Sequence, residues 1–338
     1  MNAAVDMLVT ASTTPTAPPH DADDRARYER CIKASKRVSW DIETDVFRGR
    51  TFDFKRKFLP DSLTKVNELS FLAPEEQLTM SHVQGRTYAN IFALVERFIG
   101  AKALQLACAN GLGDQVVLEG LVRFSEEEIK HQELFRRIEA AIGARMPSGY
   151  VLFADSNEIA REVLSRSSWA VLAFTCHIEL FTQAHYRESI EREESLSDLY
   201  RDVFRFHWLE ECQHVAIDEI EWRREHGALR MTERDRAVDD LIAMLRMFDE
   251  ILQGQAAGDA GYFMRLCDRD FNAQEQRAIR ETMLRAYRWQ YIASGMRHPH
   301  FREILVSLTT PRQRERIDAA LTSIIGTAFD ALNGQNAQ

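Results

Sequence analysis

The chain has 338 residues, of which 45% are hydrophobic and 28% charged, and its formal net charge is −9. This balance is typical of a globular protein with enough residues to bury a sizeable core. Lys and Arg form no long block, and no apolar run approaches the roughly 20 residues that a membrane-spanning helix needs. We therefore expect neither nucleic acid nor a membrane among its partners.

The N-terminal residues predict a disordered tail. Residues 1–25 are rich in Thr, Ala, Pro and Asp, and they lack the basic start and long apolar centre of a signal peptide. The 5 cysteines are scattered and form no C-x-x-C pair, so neither a disulfide framework nor a thiolate zinc site is indicated. These observations predict a cytoplasmic protein in which residues 26–335 form a single domain.

The rest of the chain is predicted to be helical. Residues 38–60 are the least helical ordered segment, and we expect them to wrap the outside of a helical bundle. From about residue 75 onward Gly and Pro are scarce, and the few that remain separate long helix-forming segments. Ser81, Asp114 and Ser197 stand at positions suited to N-caps. We predict helices at about 81–110, 114–142, 155–165, 167–194, 197–225, 232–254, 273–294 and 311–332.

Two of these helices carry a Glu-x-x-His motif, Glu128/His131 and Glu211/His214. Residues three apart on a helix lie on nearly the same side, so each pair can reach one point. A carboxylate and an imidazole together suit Fe(II) or Mn(II). A single motif of this kind is often a solvated pair, but two motifs form half of the ligand set of a di-iron bundle, in which each partner helix adds one Glu.

The partner helices each offer one such glutamate. Glu96 and Glu179 are the only acids in their apolar segments. Burying a lone carboxylate is costly unless it meets a cation, and a pair of metal ions would stabilise both. For Glu96 a structural salt bridge to Arg97 or Arg123 is the alternative.

His207 extends the second motif. It precedes Glu211 by four residues and His214 by seven, so the three side chains fall within about 60° of one another around the helix. A third histidine would make the metal site asymmetric, which is unusual for an iron-storage bundle. The pattern predicts an all-α fold, a ferritin-like helical bundle with additional C-terminal helices, that holds two iron ions.

Helical phase also indicates side chains near these ligands. An aromatic lining would suit an aryl or other apolar organic substrate, although ordinary core packing is the alternative for each residue. The candidates for the substrate pocket are Phe92, Phe124, Thr175, Thr182, Gln183, Val203 and Phe204.

Residues 207–214, His-Trp-Leu-Glu-Glu-Cys-Gln-His, resemble the His-x-x-x-Glu-x-x-His element of the ferritin-like di-iron N-oxygenases typified by p-aminobenzoate N-oxygenase. Residues 124–135 are similar to the other Glu-x-x-His helix of that family, and the looser likeness extends over about 38–225. The resemblance implies seven iron ligands at Glu96, Glu128, His131, Glu179, His207, Glu211 and His214.

The chain departs from the family's pattern beside the ligands. Lys130 and Gln213 stand where the family often has Arg before the motif histidine. Glu127 and Glu210 stand where it often has Asp before the motif glutamate, and they could still orient a ligand imidazole. These departures leave the substrate and the reaction open.

The resemblance implies an O2-dependent di-iron monooxygenase that oxidises an amine nitrogen of a small organic molecule in specialised metabolism. O2 would be the co-substrate, a redox partner would supply electrons, and the protein would be a homodimer. The alternatives are a di-iron C-hydroxylase or desaturase, and a non-catalytic ferritin-like storage protein, against which the helices beyond residue 232 and His207 both argue. A Mn/Fe centre and a radical-generating subunit of the ribonucleotide reductase type, which would need Tyr88 or Tyr186 near the metals, also stay open.

Overall fold

The computed structural model describes residues 19–326, and every regular element in this range is helical, so the all-α prediction is confirmed. Single π-helical turns cover Ile42–Phe47, Tyr186–Ile190 and Trp289–Ala293. The α-helices are α1 (Ala22–Arg37), α2 (Asp61–Thr64), α3 (Pro74–Ala109), α4 (Gln115–Gly143), α5 (Ser156–Leu164), α6 (Ser168–His185), α7 (Asp198–Ala228), α8 (Met231–Leu266), α9 (Ala273–Arg288), α10 (Ser294–Met296), α11 (Pro299–Leu308) and α12 (Pro311–Ile325).

Four long helices form the core. Helix α3 packs along α4, α6 packs along α7, and the two pairs face each other through α4 and α7. Paired helices of this kind, with acids and Glu-x-x-His motifs turned inward, are the arrangement of a ferritin-like bundle. Within residues 19–326 no helix combines the length and the apolar character needed to cross a bilayer.

The remaining helices cover the core. The predicted additional C-terminal helices are present: α8 packs on α6 and α3, and α9 and α12 pack on α8. At the other end of the chain α1 lies across α4 and α7. Of the tail predicted for residues 1–25, residues 1–18 lie outside the described part. Helix α1 begins as early as Ala22, because the Asp21 side chain caps it by accepting from the N–H groups of Asp23 and Asp24.

Several predicted helix boundaries are wrong. Ser81 does not cap α3, which begins a full two turns earlier at Pro74. The Ser81 hydroxyl is buried, where it accepts from the N–H groups of Phe58 and Leu59 and donates to the Leu59 carbonyl. It thereby ties the 38–60 segment to the bundle, and that segment includes a π-helical turn.

The later boundaries differ because tertiary packing extends or interrupts the helices. Helix α6 ends at His185, where a π-helical turn replaces the continuation to residue 194. Helix α8 continues past its predicted end to Leu266, and α11 was not predicted. Helix α12 ends at Ile325, where Gly326 adopts a φ of 76°; residues 327–332 of its predicted range lie outside the described part.

The contact of α1 with α4 depends on Gly120. A Cβ atom at this position would lie 2.5 Å from Cδ1 of Tyr28, so alanine would push α1 outward. We expect Gly120→Ala to lower the free energy of unfolding in urea by about 1–3 kcal/mol, as overpacking does. Gly254→Ala in α8 is the control, because nothing lies within 4 Å of its added Cβ; it should raise stability by about 0.5–1 kcal/mol. Equal effects of the two substitutions would contradict this docking of α1.

Candidate metal centre

Seven side chains from the four core helices meet in the middle of the bundle. They are at most 3% exposed. They form two groups, and within each group one potential ligand atom per side chain lies within 4.8 Å of the others. The first group is Glu96, His131, His207 and Glu211, and the second is Glu128, Glu179, Glu211 and His214. All seven residues singled out from the sequence therefore lie together, with Glu211 shared between the groups.

The spacing of these atoms is that of ligands around common points. Nδ1 of His131 and Nε2 of His207 each lie 2.9 Å from Oε1 of Glu211. Nδ1 of His214 lies 3.0 Å from Oε1 of Glu128 and 2.8 Å from Oε2 of Glu211. Neighbouring ligands of an octahedral ion with bonds of roughly 2.1 Å are about 3 Å apart. Each group can thus hold one ion, with Glu211 between the two.

Hydrogen bonding within the described residues does not satisfy these groups. Some buried atoms lie close to one another yet form no well-aligned hydrogen bond there: both carboxylate oxygens of Glu128, Oε2 of Glu96, Oε1 of Glu179, Oε1 of Glu211 and Nδ1 of His131. Leaving buried charge unpaired is strongly destabilising. The four carboxylates could balance the charge of two divalent cations, and the oxygen and nitrogen donors suit Fe(II) and Mn(II). The residues therefore fit a di-metal centre.

The same crowding shifts the pKa values of the groups. Burial, reinforced by neighbouring carboxylates, raises the pKa of Glu128 and Glu179 well above the ordinary value. Burial opposes ionisation of Glu96, but the neighbouring Glu128 carboxyl, His131 and His207 together lower its pKa to about 2. Burial alone would lower the pKa of His131, yet Glu211 and other carboxylates raise it well above its ordinary value. The metal-free site therefore retains protons, and a divalent cation would displace them on binding.

Two further glutamates hold the imidazoles, and they do so across the bundle. Nε2 of His131 lies 3.0 Å from Oε2 of Glu210, and Nε2 of His214 lies 2.8 Å from Oε2 of Glu127. Each glutamate precedes the ligand glutamate of one motif and contacts the histidine of the other. An Nε2–H that donates to a carboxylate leaves Nδ1 free for a metal and fixes the ring. Sequence pattern anticipated this role for both glutamates, although not the crossing between helices.

The surroundings of His131 are cationic and aromatic. Lys130 forms an ion pair with Glu210, and its Nζ lies 4.0 Å from the centre of the Trp40 ring. Trp40 in turn stacks on His131, with ring centres 6.2 Å apart and an angle of 9° between the planes. Local sequence pattern does not predict this contact, because Trp40 lies on a distant segment that only the fold brings here.

The residue that precedes His214 is neutral, in contrast to Lys130 before His131. Nε2 of Gln213 donates to Oε2 of Glu127 at 3.0 Å, in place of an ammonium group. The ring of Phe124 stacks on His214 with ring centres 3.9 Å apart. The two Glu-x-x-His motifs thus make equivalent contacts across the bundle. The residue before the motif histidine differs in charge, since Lys130 is cationic and Gln213 is neutral.

His207 is held by aromatic rings. Phe92 and Phe204 contact it edge to face, with ring centres 5.4 Å and 6.5 Å away, and Val203 is buried beside Phe204 on α7. Nδ1 of His207 has no hydrogen-bond partner among the residues described. Phe92 and Phe204 therefore belong to the wall around the third histidine, whereas Val203 is shown only to be buried. Contact of these three pocket candidates with a substrate stays a prediction.

The polar pocket candidates lie on α6. The hydroxyls of Thr175 and Thr182 donate to carbonyls of the preceding helical turn. Nε2 of Gln183 donates to the backbone carbonyl of Glu211 at 2.9 Å and so joins α6 to α7 beside the site. These contacts are structural, and a direct role toward substrate remains untested.

The two candidate radical tyrosines occupy different surroundings. The hydroxyl of Tyr88 lies 2.8 Å from Nδ1 of His185, and its ring packs on Phe92 with centres 4.6 Å apart. Phe92 stands between Tyr88 and His207. Tyr186 stacks on Trp208, with ring centres 5.1 Å apart. Sequence phase indicated neither as an immediate neighbour of the metal site.

Comparisons with known proteins give distant likeness. No protein-family model matches the chain, and no curated protein matches it. Among solved structures, a variant of R2-like ligand-binding oxidase with an aerobically reconstituted Mn/Fe cofactor is 14% identical, with a TM-score of 0.42 over 79% of this chain and 92% of that one. Another variant with an aerobically reconstituted Fe/Fe cofactor is 15% identical, with a TM-score of 0.40 over 80% and 93%. These scores are low, and the site described above does not rest on them.

The shared position of Glu211 predicts unequal effects of two substitutions. Glu211→Gln alters both groups, whereas Glu179→Gln alters one. After anaerobic reconstitution with Fe(II), we expect iron content to fall from about two ions per chain to near zero in Glu211→Gln and to about one in Glu179→Gln. Elemental analysis measures the content, and circular dichroism checks the fold. Glu133→Gln is the control and should bind iron normally, because this half-buried glutamate of α4 pairs with Arg136 and Arg137 and belongs to neither group. Equal losses from the two site variants would argue against a shared ligand.

Proposed function

We propose that the protein is an O2-dependent di-iron oxygenase that oxidises an amine nitrogen of a small organic molecule. The observation that carries this proposal is the third histidine. Nε2 of His207 lies 3.0 Å from Oε1 of Glu96 and 2.9 Å from Oε1 of Glu211. The first group thus offers two imidazoles and the second offers one. Two ions in unequal ligand fields suit a catalytic centre better than a site that only stores iron.

Two iron ions held here would supply the activation of O2. The chain positions the ligands, balances the charge of the ions and keeps water away from them. Glu127 and Glu210 bind Nε2 of His214 and of His131, so that Nδ1 of each ring faces the centre. The stacked ring of Phe124 and the edge of Phe92 cover imidazoles of the two groups. Because these rings exclude water, the electrostatic interactions inside remain strong.

The same walls support the proposed class of substrate. Phe92, Phe135 and Phe204 surround His207 with aromatic edges. Such a surface favours an aryl or other apolar amine. Conversion of an amine and O2 to a hydroxylamine and water consumes two electrons and two protons, so the proposal includes an external electron donor. Assembly as a homodimer is part of the same proposal.

Oxidation at carbon is the second candidate, because the same residues could serve a hydroxylase or desaturase. A panel of arylamines and amino acids, supplied with reductant and O2, separates the two. We expect hydroxylamine or nitro products from the iron-loaded protein, detected by mass spectrometry. Products oxidised only at carbon would contradict the proposed N-oxidation, and iron uptake without any turnover would favour storage.

Substitution of the third histidine tests its importance. We expect His207→Ala to lower the rate of amine oxidation by roughly 100-fold, as loss of a tuning contact at a metal site does. His226→Asn, a half-buried histidine that accepts from the indole of Trp169, is the matched control. It should retain the wild-type rate. Equal rates in the two variants, with equal iron content, would remove His207 from the mechanism.

A further inference from the structure

The centre is closed to solvent, so metal ions need a route into it. Its seven side chains are at most 3% exposed. Two adjoining cavities between α1, α4 and α7 lead toward it. The outer one is an open pocket of about 350 Å³ with Glu126 at its edge. The inner one, of about 10 Å³, reaches Phe124 and His214.

The two cavities share Ser35, Arg123 and Glu127 in their walls. Glu127 therefore faces the outer pocket on one side and His214 on the other, at 2.8 Å from Nε2. Ser35 on α1 borders both cavities beside this carboxylate. The inner cavity is about the size of one water molecule, so an ion can pass only when α1 and α4 separate slightly. We call this passage the α1–α4 portal.

The α1–α4 portal has two cations at its wall, and Glu119 holds both. Arg123 lines it, but its guanidinium Nε lies 2.9 Å from Oε1 of Glu119. Nζ of Lys36 contacts the same oxygen at 2.7 Å. Glu119 thus draws both cations away from Glu127, whose carboxylate oxygens are donors suited to Fe(II) or Mn(II) in transit.

The outer pocket is also lined by Glu210, which binds His131. A second path past Glu210 would therefore reach the other group, but a positive charge stands beside it. Lys130 pairs with Glu210 and would repel an incoming cation. The equivalent residue on the other side, Gln213, is neutral and bonds Glu127. Lys130 and Gln213 thus distinguish the two approaches.

We propose that divalent metal ions enter through the α1–α4 portal and reach the group of Glu128, Glu179 and His214 first. This inference rests on the proposed di-iron site and adds the route by which it is loaded. The ion passes Glu127 as it leaves the portal. The positive charge of Lys130 keeps the ion from the direct path to His131.

Uptake of Mn2+ by the metal-free full-length chain tests the route without any measurement of activity. Loss of the EPR signal of free Mn2+ reports binding. Ser35→Phe should narrow the portal and slow uptake by roughly tenfold, because Ser35 lines both cavities and the inner one holds about one water molecule. Arg123→Gln should speed uptake several-fold at low ionic strength and less at high salt. Both variants should reach the wild-type metal content.

Arg137→Gln is the matched control for Arg123→Gln, because Arg137 also lies on α4 and pairs with a glutamate. If Arg123→Gln loads no faster than this control, or if folded Ser35→Phe loads at the wild-type rate, the route is wrong. Should Ser35→Phe fail to fold, the two arginine variants decide the matter. A wild-type chain that binds no Mn2+ and no Fe(II) would instead overturn the di-metal site itself.

The order of loading gives an independent readout. Glu179→Gln weakens the group that the portal reaches first, and it should abolish the fast phase of uptake. Glu96→Gln weakens the other group and should retain that phase. The reverse result would show that ions enter from the His131 side.

Discussion

The structure depends on the burial of four carboxylates that face one another at the centre of a helical bundle. Glu96, Glu128, Glu179 and Glu211 each come from a different core helix, and all are almost completely buried. Their mutual repulsion and lost hydration oppose the packing of α3, α4, α6 and α7. Protons and imidazoles offset part of this in the metal-free chain, and two divalent cations would offset it fully. The bundle is thus packed around a site that is stable only when positive charge occupies it.

Glu127 and Glu210, the two glutamates that hold the ligand imidazoles, join α4 and α7 into a single unit. Because Glu210 holds His131 and Glu127 holds His214, each motif helix positions a ligand of the other. A relative shift of α4 and α7 would therefore break both contacts together. These two contacts and the shared carboxylate of Glu211 couple the ligand geometry of one group to that of the other. Such coupling suits a reaction that uses both ions at once.

Sequence predicted those parts of the site that helix geometry fixes locally. The spacing of three, four and seven residues on α7 places His207, Glu211 and His214 on one row regardless of the rest of the fold. Lone acids in apolar segments indicated the partner ligands for the same local reason. Contacts between distant segments could not be read in this way. Trp40 and Ser35 reach the site only because the N-terminal segment folds back over α4 and α7.

Helix boundaries show the same division. The Asp114 side chain caps α4 as its spacing predicts, by accepting from the N–H of Val116. Ser81 has an equally good local signal, yet it lies inside α3 because its hydroxyl binds the backbone of Leu59. Local propensity is overridden wherever a buried polar group finds a partner on another segment. The pocket candidates Thr175 and Thr182 likewise bond carbonyls of their own helix, as residues of an ordinary packed core do.

The central claim is that two metal ions lie on either side of Glu211. Anomalous diffraction at the iron edge, from crystals grown after anaerobic loading with Fe(II), measures this directly. We expect two peaks about 3.5–4 Å apart, one within bonding distance of His131 and His207 and one within bonding distance of His214. A single peak, or iron bound away from these histidines in a correctly folded chain, would contradict the account.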